Sequence, residues 1–129
     1  MNVYTLRKAE RLSSELLIGK MFEGGVSKSF SIFPMRVVYM PAGAGEEMPS
    51  ILVSVSKRRF KRAVKRNRVK RQIREAYRKN KHLLSAPLPG LQGERLAIAF
   101  IYLSDALLPS ALIEEKMKVA LQRITEKLS

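Results

Sequence analysis

Ser54-Val55-Ser56-Lys57-Arg58-Arg59-Phe60-Lys61-Arg62-Ala63-Val64-Lys65-Arg66-Asn67-Arg68-Val69-Lys70-Arg71-Gln72-Ile73-Arg74-Glu75-Ala76-Tyr77-Arg78 is the stretch around which this chain is organised. Its start alternates as the end of a strand does, and its remainder follows a helical period. On a 100° wheel Val69, Ile73, Ala76 and Tyr77 share one face, while Asn67, Lys70, Arg71, Arg74 and Arg78 share the opposite one. That division describes an amphipathic helix with one face for a core and one for anions. Its start is open between Phe60 and Ala63. Arg62 and Arg66 fall beside the apolar edge, so they should emerge where the helix meets its neighbouring layer.

The same stretch carries the charge of the chain. Residues 57–81 hold fourteen Lys and Arg against the single acid Glu75, whereas the rest of the chain sets eleven cations against ten acids. The formal net charge of +14 therefore sits almost wholly in one segment. Cations held this close repel one another unless an anion relieves them. A polyphosphate does so by releasing its own condensed counterions, so nucleic acid is the first partner to consider.

Working outward, Ser13 or Ser14 can cap a short helix carrying Leu16, Leu17, Lys20 and Met21, ended by Gly24-Gly25. Residues 29–40 are rich in β-branched and aromatic side chains and predict one long strand, with Pro34 at a bulge or edge. Turn-forming residues 41–49 lead to a second strand over 50–56, most simply as a hairpin. After the basic helix, the polar and Pro-containing residues 82–94 predict a loop, read as a tolerated insertion. A strand over 95–103 follows, then a helix over 110–128 with Ile113, Met117, Ala120, Leu121, Ile124 and Leu128 on one stripe. The order α-β-β-α-β-α predicts an α+β sandwich.

Composition bounds the rest. With 129 residues, 46% of them hydrophobic, the chain has the size and apolar content of a single domain with its own core. The absence of cysteine excludes disulfides, thiolate metal sites and a Cys nucleophile, and suits the cytoplasm. No apolar run approaches the roughly 20 residues of a spanning helix, and the N-terminal residues Arg7, Lys8, Glu10 and Arg11 interrupt any export signal.

The run Ser54-Val55-Ser56-Lys57, then Ala63-Val64, Arg66-Asn67-Arg68-Val69-Lys70-Arg71 and Ile73-Arg74-Glu75-Ala76-Tyr77 resembles the Arg-Asn-Arg motif of the bacterial ribonuclease P protein component. Arg11-Leu12, Lys20, Phe22 and Gly25 are similar to that family's first helix and the turn after it. The resemblance implies an α-β-β-β-α-β-α two-layer sandwich of the ribosomal protein S5 domain 2-like type. It adds a short strand just after Gly25 and a left-handed helix crossover, against the strong right-handed rule. It further implies a subunit of a ribonucleoprotein endonuclease that removes the 5′ leader from precursor tRNA. The catalyst would be the RNA, no catalytic residue would come from the protein, and Mg²⁺ would be held mainly by RNA.

Carried over residue by residue, the resemblance implies contact with the catalytic ribonuclease P RNA through Arg66, Asn67, Arg68, Lys70, Arg71 and Arg74, extended by Lys57, Arg58 and Arg62. It also implies a cleft between the first helix and the sheet that holds the single-stranded leader of precursor tRNA. Phe22 matches one of the cleft's aromatics; Ile18 and Arg36 stand where aromatics are usual, with Arg11 and Phe33 completing the set. Phe22, Phe33 and Tyr39 could equally be core residues. The implied partners are thus two RNAs, with no membrane and no small-molecule substrate.

Three other readings compete. A protein-only nuclease needs clustered carboxylates or paired histidines, yet the acids are scattered and His82 is the only histidine. A general RNA-binding or ribosome-associated protein explains the charge but not the Arg-Asn-Arg spacing. A membrane-surface helix needs larger apolar anchors than Val69, Ile73, Ala76 and Tyr77.

Overall fold

The computed structural model describes residue 19 and residues 27–43, 49–84 and 88–129. The expected first helix, with Arg11, Ile18 and Phe22, lies outside these. Among the described residues four strands form one sheet: β1 (Lys28–Ile32), β2 (Met35–Pro41), β3 (Ser50–Ser54) and β4 (Leu96–Tyr102). In the same residues two helices with described bounds accompany them, α1 (Ala63–Asn80) and α2 (Ser110–Leu128).

The single strand expected over 29–40 is two. Phe33-Pro34, joined by a cis peptide bond, makes the turn of a hairpin in which Ile32 faces Met35 and Phe30 faces Val37. Its first strand supplies the extra strand that the family resemblance placed after Gly25. The hairpin expected between residues 41 and 50 does not form. The strand order is β1-β2-β4-β3, so β4 lies between the two strands expected to pair. It runs antiparallel to β2 and parallel to β3. The reason is burial. Leu96-Ala97-Ile98-Ala99-Phe100 is buried on both faces, as a central strand must be, whereas β1 exposes Lys28, Ser29 and Ser31 as an edge strand can. α1 is the crossover between the parallel neighbours β3 and β4.

Register places Val37, Phe100 and Val53 side by side in one row and Tyr39, Ile98 and Ile51 in the next. Both helices pack on this face. Val69, Ile73, Ala76 and Tyr77 of α1 and Ile113, Met117, Ala120, Leu121, Ile124 and Leu128 of α2 join it in one core, as the wheel readings anticipated. Tyr39 belongs to this core too, edge-on to Phe30, so its core reading holds and its cleft reading does not. The opposite face carries a smaller buried cluster of Val38, Met40, Ala97 and Ala99, with Ala42, Leu52 and Ile101 against it.

The described residues of the connection after α1 pack on the core. They include single 3-10 turns at Lys81–Leu83 and Pro89–Leu91. Leu91 is buried, while Leu83, Leu84 and Leu88 pack against the main core. Thr125 Oγ1 donates to the Leu83 carbonyl at 2.9 Å, fastening the first turn to α2. Gly90 lies so close to the end of α2 that a Cβ there would stand 2.8 Å from both Cα and O of Leu128.

Candidate RNA interface

Because β3 and β4 are parallel and β2 is antiparallel to them, one end of the sheet gathers the β1–β2 turn, the end of β4 and the residues leaving β3. The basic segment starts there. Residues 57–59 form a tight turn, with the Arg59 amide donating to the Ser56 carbonyl at 3.1 Å. Phe60 then turns inward and its ring lies 6.1 Å from that of Tyr102, anchoring the turn in the core. α1 begins at Ala63, which decides between the two starts left open by the sequence.

The apolar face divides as its period requires, the opposite face only in part. Val69, Ile73, Ala76 and Tyr77 are buried and Asn67, Arg68 and Arg71 are exposed, whereas Lys70, Arg74 and Arg78, which the wheel set opposite the core, are half-buried. Lys57, Arg58 and Arg62 are exposed in the turn and at the helix start. No acid occupies the first turn of α1 and no side chain caps it, so the positive end of the helix dipole adds to the surrounding cations. Further along, hydrogen bonding from Arg78 holds the Glu75 carboxyl below the ordinary carboxylate range. The single acid of the segment is thereby occupied within the helix.

Arg66 does something the wheel did not foresee. It does emerge at the apolar edge, but its guanidinium turns back, and Nη1 donates to the carbonyls of Phe60 and Lys61, each at 2.8 Å. Arg59, Lys61 and Lys65, absent from the expected site residues, lie on the same surface, and Arg59 forms an ion pair with Asp105 at 3.1 Å. The signal for them was the basic run itself. Their direction was illegible because the turn between β3 and α1 has no period.

For the leader cleft, Arg11, Ile18 and Phe22 lie outside the described residues. Phe33 is 61% exposed at the tip of the β1–β2 hairpin, so of its two readings the core one fails. Arg36 is exposed on β2, on the face away from the helices, with Nη2 3.4 Å from Ser29 Oγ. The two stand at one end of the sheet, Phe33 in the turn and Arg36 beside Ser31 and Ile101. His82 is exposed in the turn after α1. Among the described residues no three His, Asp or Glu side chains converge to hold a metal ion, and no helix is long and apolar enough to cross a membrane.

The chain is similar to known proteins. The family model described as Ribonuclease P matches residues 6–125. Ribonuclease P protein components from two strains of Porphyromonas gingivalis are each 46% identical to this chain, over 122 and 123 residues, covering 94% of it and 87% of their own length. That of Chlorobium phaeobacteroides is 34% identical over 109 residues, covering 80% of this chain and 75% of its own. The solved ribonuclease P protein of Thermotoga maritima has the same fold, with TM-score 0.69 at 21% identity over 88% of this chain and 96% of that one. With a model spanning nearly the whole sequence and relatives this similar along most of it, the chain belongs to the ribonuclease P protein family.

Proposed function

We propose that this protein, the protein component of a ribonuclease P and so part of an endoribonuclease of tRNA 5′-leader processing, supplies RNA binding while the RNA subunit supplies the chemistry. The observation that carries this reading is the division of α1, with an apolar stripe in the core and cations on the open side. Exposed Lys57, Arg58, Arg62, Arg68 and Arg71 are the contacts to the catalytic RNA, with Asn67 between them and Lys70 and Arg74 on the flanks. Guanidinium groups suit this role because their planar fork matches two phosphate oxygens at once.

Phe33 and Arg36 are the described candidates for holding the leader of precursor tRNA. An exposed ring offers a stacking surface to any base, and a nearby guanidinium offers a counter-charge to the strand. Together the two surfaces screen repulsion between two polyanions and favour precursor over mature tRNA. The Mg²⁺ of the reaction belongs to the RNA in this reading, and the cytoplasm is its setting.

The test is cleavage of precursor tRNA by a bacterial ribonuclease P RNA at low Mg²⁺, with this protein, without it, and with the protein alone. Stimulation by a protein that is itself inactive is the expected result. Absence of stimulation of a cognate RNA, with RNA binding intact, would favour a general RNA-binding role.

A further inference from the structure

Between the β3–α1 turn and the segment after β4 lies an open concavity of about 510 Å³. Its chemistry differs from wall to wall. Arg59, Lys61, Arg62 and Lys65 make one side, while Asp105, Ala106 and Leu107 make the other. Both walls are built rather than loose. On the basic side, Arg66 holds the carbonyls of Phe60 and Lys61 while the Phe60 ring is buried beside Tyr102. On the other, the Tyr102 hydroxyl donates to the Ala106 carbonyl at 2.7 Å, and the Ala106 amide donates to Ser104 Oγ at 3.0 Å. Gln72 Nε2 donates to the Leu108 carbonyl at 3.0 Å and so ties the far end of that wall to α1. The ion pair of Arg59 with Asp105 spans the two sides.

We propose that this concavity is a pocket for one unstacked nucleotide of the bound RNA, with guanosine preferred. The proposal rests on the RNA-binding reading above and adds a base-recognising site to it. A surface for phosphate alone needs neither an apolar wall nor a carboxylate, and the carboxylate opposes a bare anion. A nucleotide uses all three. Its phosphate meets Lys61, Arg62 and Lys65, and its base lies on Ala106 and Leu107. Its edge donates to Asp105, whose side chain keeps 74% of its surface open although paired with Arg59. Guanine presents two adjacent N–H donors to a carboxylate, whereas uracil presents one between two acceptors. The volume falls in the range of small-molecule sites, roughly 300–1,000 Å³.

The full-length ¹⁵N-labelled chain is titrated with guanosine 5′-monophosphate, uridine 5′-monophosphate and inorganic phosphate, following the amides of residues 59–65 and 105–107 by NMR. Binding of a bacterial ribonuclease P RNA is measured in parallel. The guanosine nucleotide should shift the Ala106 and Leu107 amides with an affinity at least about fivefold above that of the other two, as one paired carboxylate contact would give. Asp105→Asn should erase the preference, and Ala106→Trp, which fills the concavity, should remove nucleotide binding altogether. Equal midpoints for all three ligands would show only an anion-attracting surface and overturn the proposal, as would shifts confined to the basic wall. Either result with RNA binding intact leaves the RNA-binding reading standing. Failure of the wild-type chain to bind the RNA overturns both.

Discussion

Arg66 shows how one side chain in a basic run can serve the fold and the partner differently from its neighbours. Its Nη1 is committed to two carbonyls at 2.8 Å, whereas Arg68, two residues on, is exposed to solvent. The bond to the Phe60 carbonyl is part-buried and that to Lys61 exposed, and a part-buried hydrogen bond from a charged donor is among the stronger ones, roughly 1.5–3 kcal/mol. Arg66→Ala should therefore loosen the β3–α1 turn, seen as faster amide exchange at residues 59–62, and weaken RNA binding with little change in its salt dependence. Arg68→Ala should leave the turn intact and lower the slope of log affinity against log salt by about 0.7–0.9, the share of one phosphate contact. Equal slope changes in the two variants would show that Arg66 is an ordinary phosphate contact.

At the scale of elements, the connection between α1 and β4 closes the end of the core. Its turns place Leu83, Leu84, Leu88 and Leu91 in or against the main core, and Gly90 comes close over the last turn of α2. A methyl group there meets backbone atoms of Leu128, which cannot rotate away as a side chain can. Gly90→Ala should cost roughly 1–3 kcal/mol, the range of overpacking, and lower the melting temperature without weakening RNA binding measured below the transition. An unchanged melting temperature would mean that the connection does not pack against α2. The α1–α2 contact has polar fastenings as well. Asn80, buried at the end of α1, donates to the Ala76 carbonyl at 2.8 Å and reaches Glu114 of α2 at 3.4 Å.

Across the whole molecule, the charge of +14 is segregated from a core whose titratable members are tyrosines. With about six phosphate contacts, RNA affinity should fall by roughly a thousandfold between 50 and 200 mM salt, and a flat response would contradict phosphate binding by the cations of α1 and the turn before it. Burial pushes the hydroxyls of Tyr39 and Tyr102 above their ordinary value of about 10, for Tyr102 against the opposing effect of hydrogen bonds. A raised folded-state value favours the neutral form, so this stabilisation is complete below pH 10 and is lost as pH rises through the folded-state value. The stability of the wild-type chain relative to Tyr39→Phe, by urea unfolding, should accordingly begin to decline above about pH 10. A constant difference would show that the hydroxyl titrates as freely folded as unfolded. Local periodicity along the chain encodes both described helices, their buried stripes, and the open face of α1 with its cations. It could not say that residues 29–40 fold back at Phe33-Pro34, since either half has strand character. Nor could it place β4 between β2 and β3, because strand neighbours are chosen by burial across the whole sheet. The turn of Arg66 onto the carbonyls behind it, and the meeting of Arg59 with Asp105 46 residues away, were decided by tertiary structure alone. Those contacts arise where aperiodic connections are brought together at one end of the sheet, and no spacing along the chain records that.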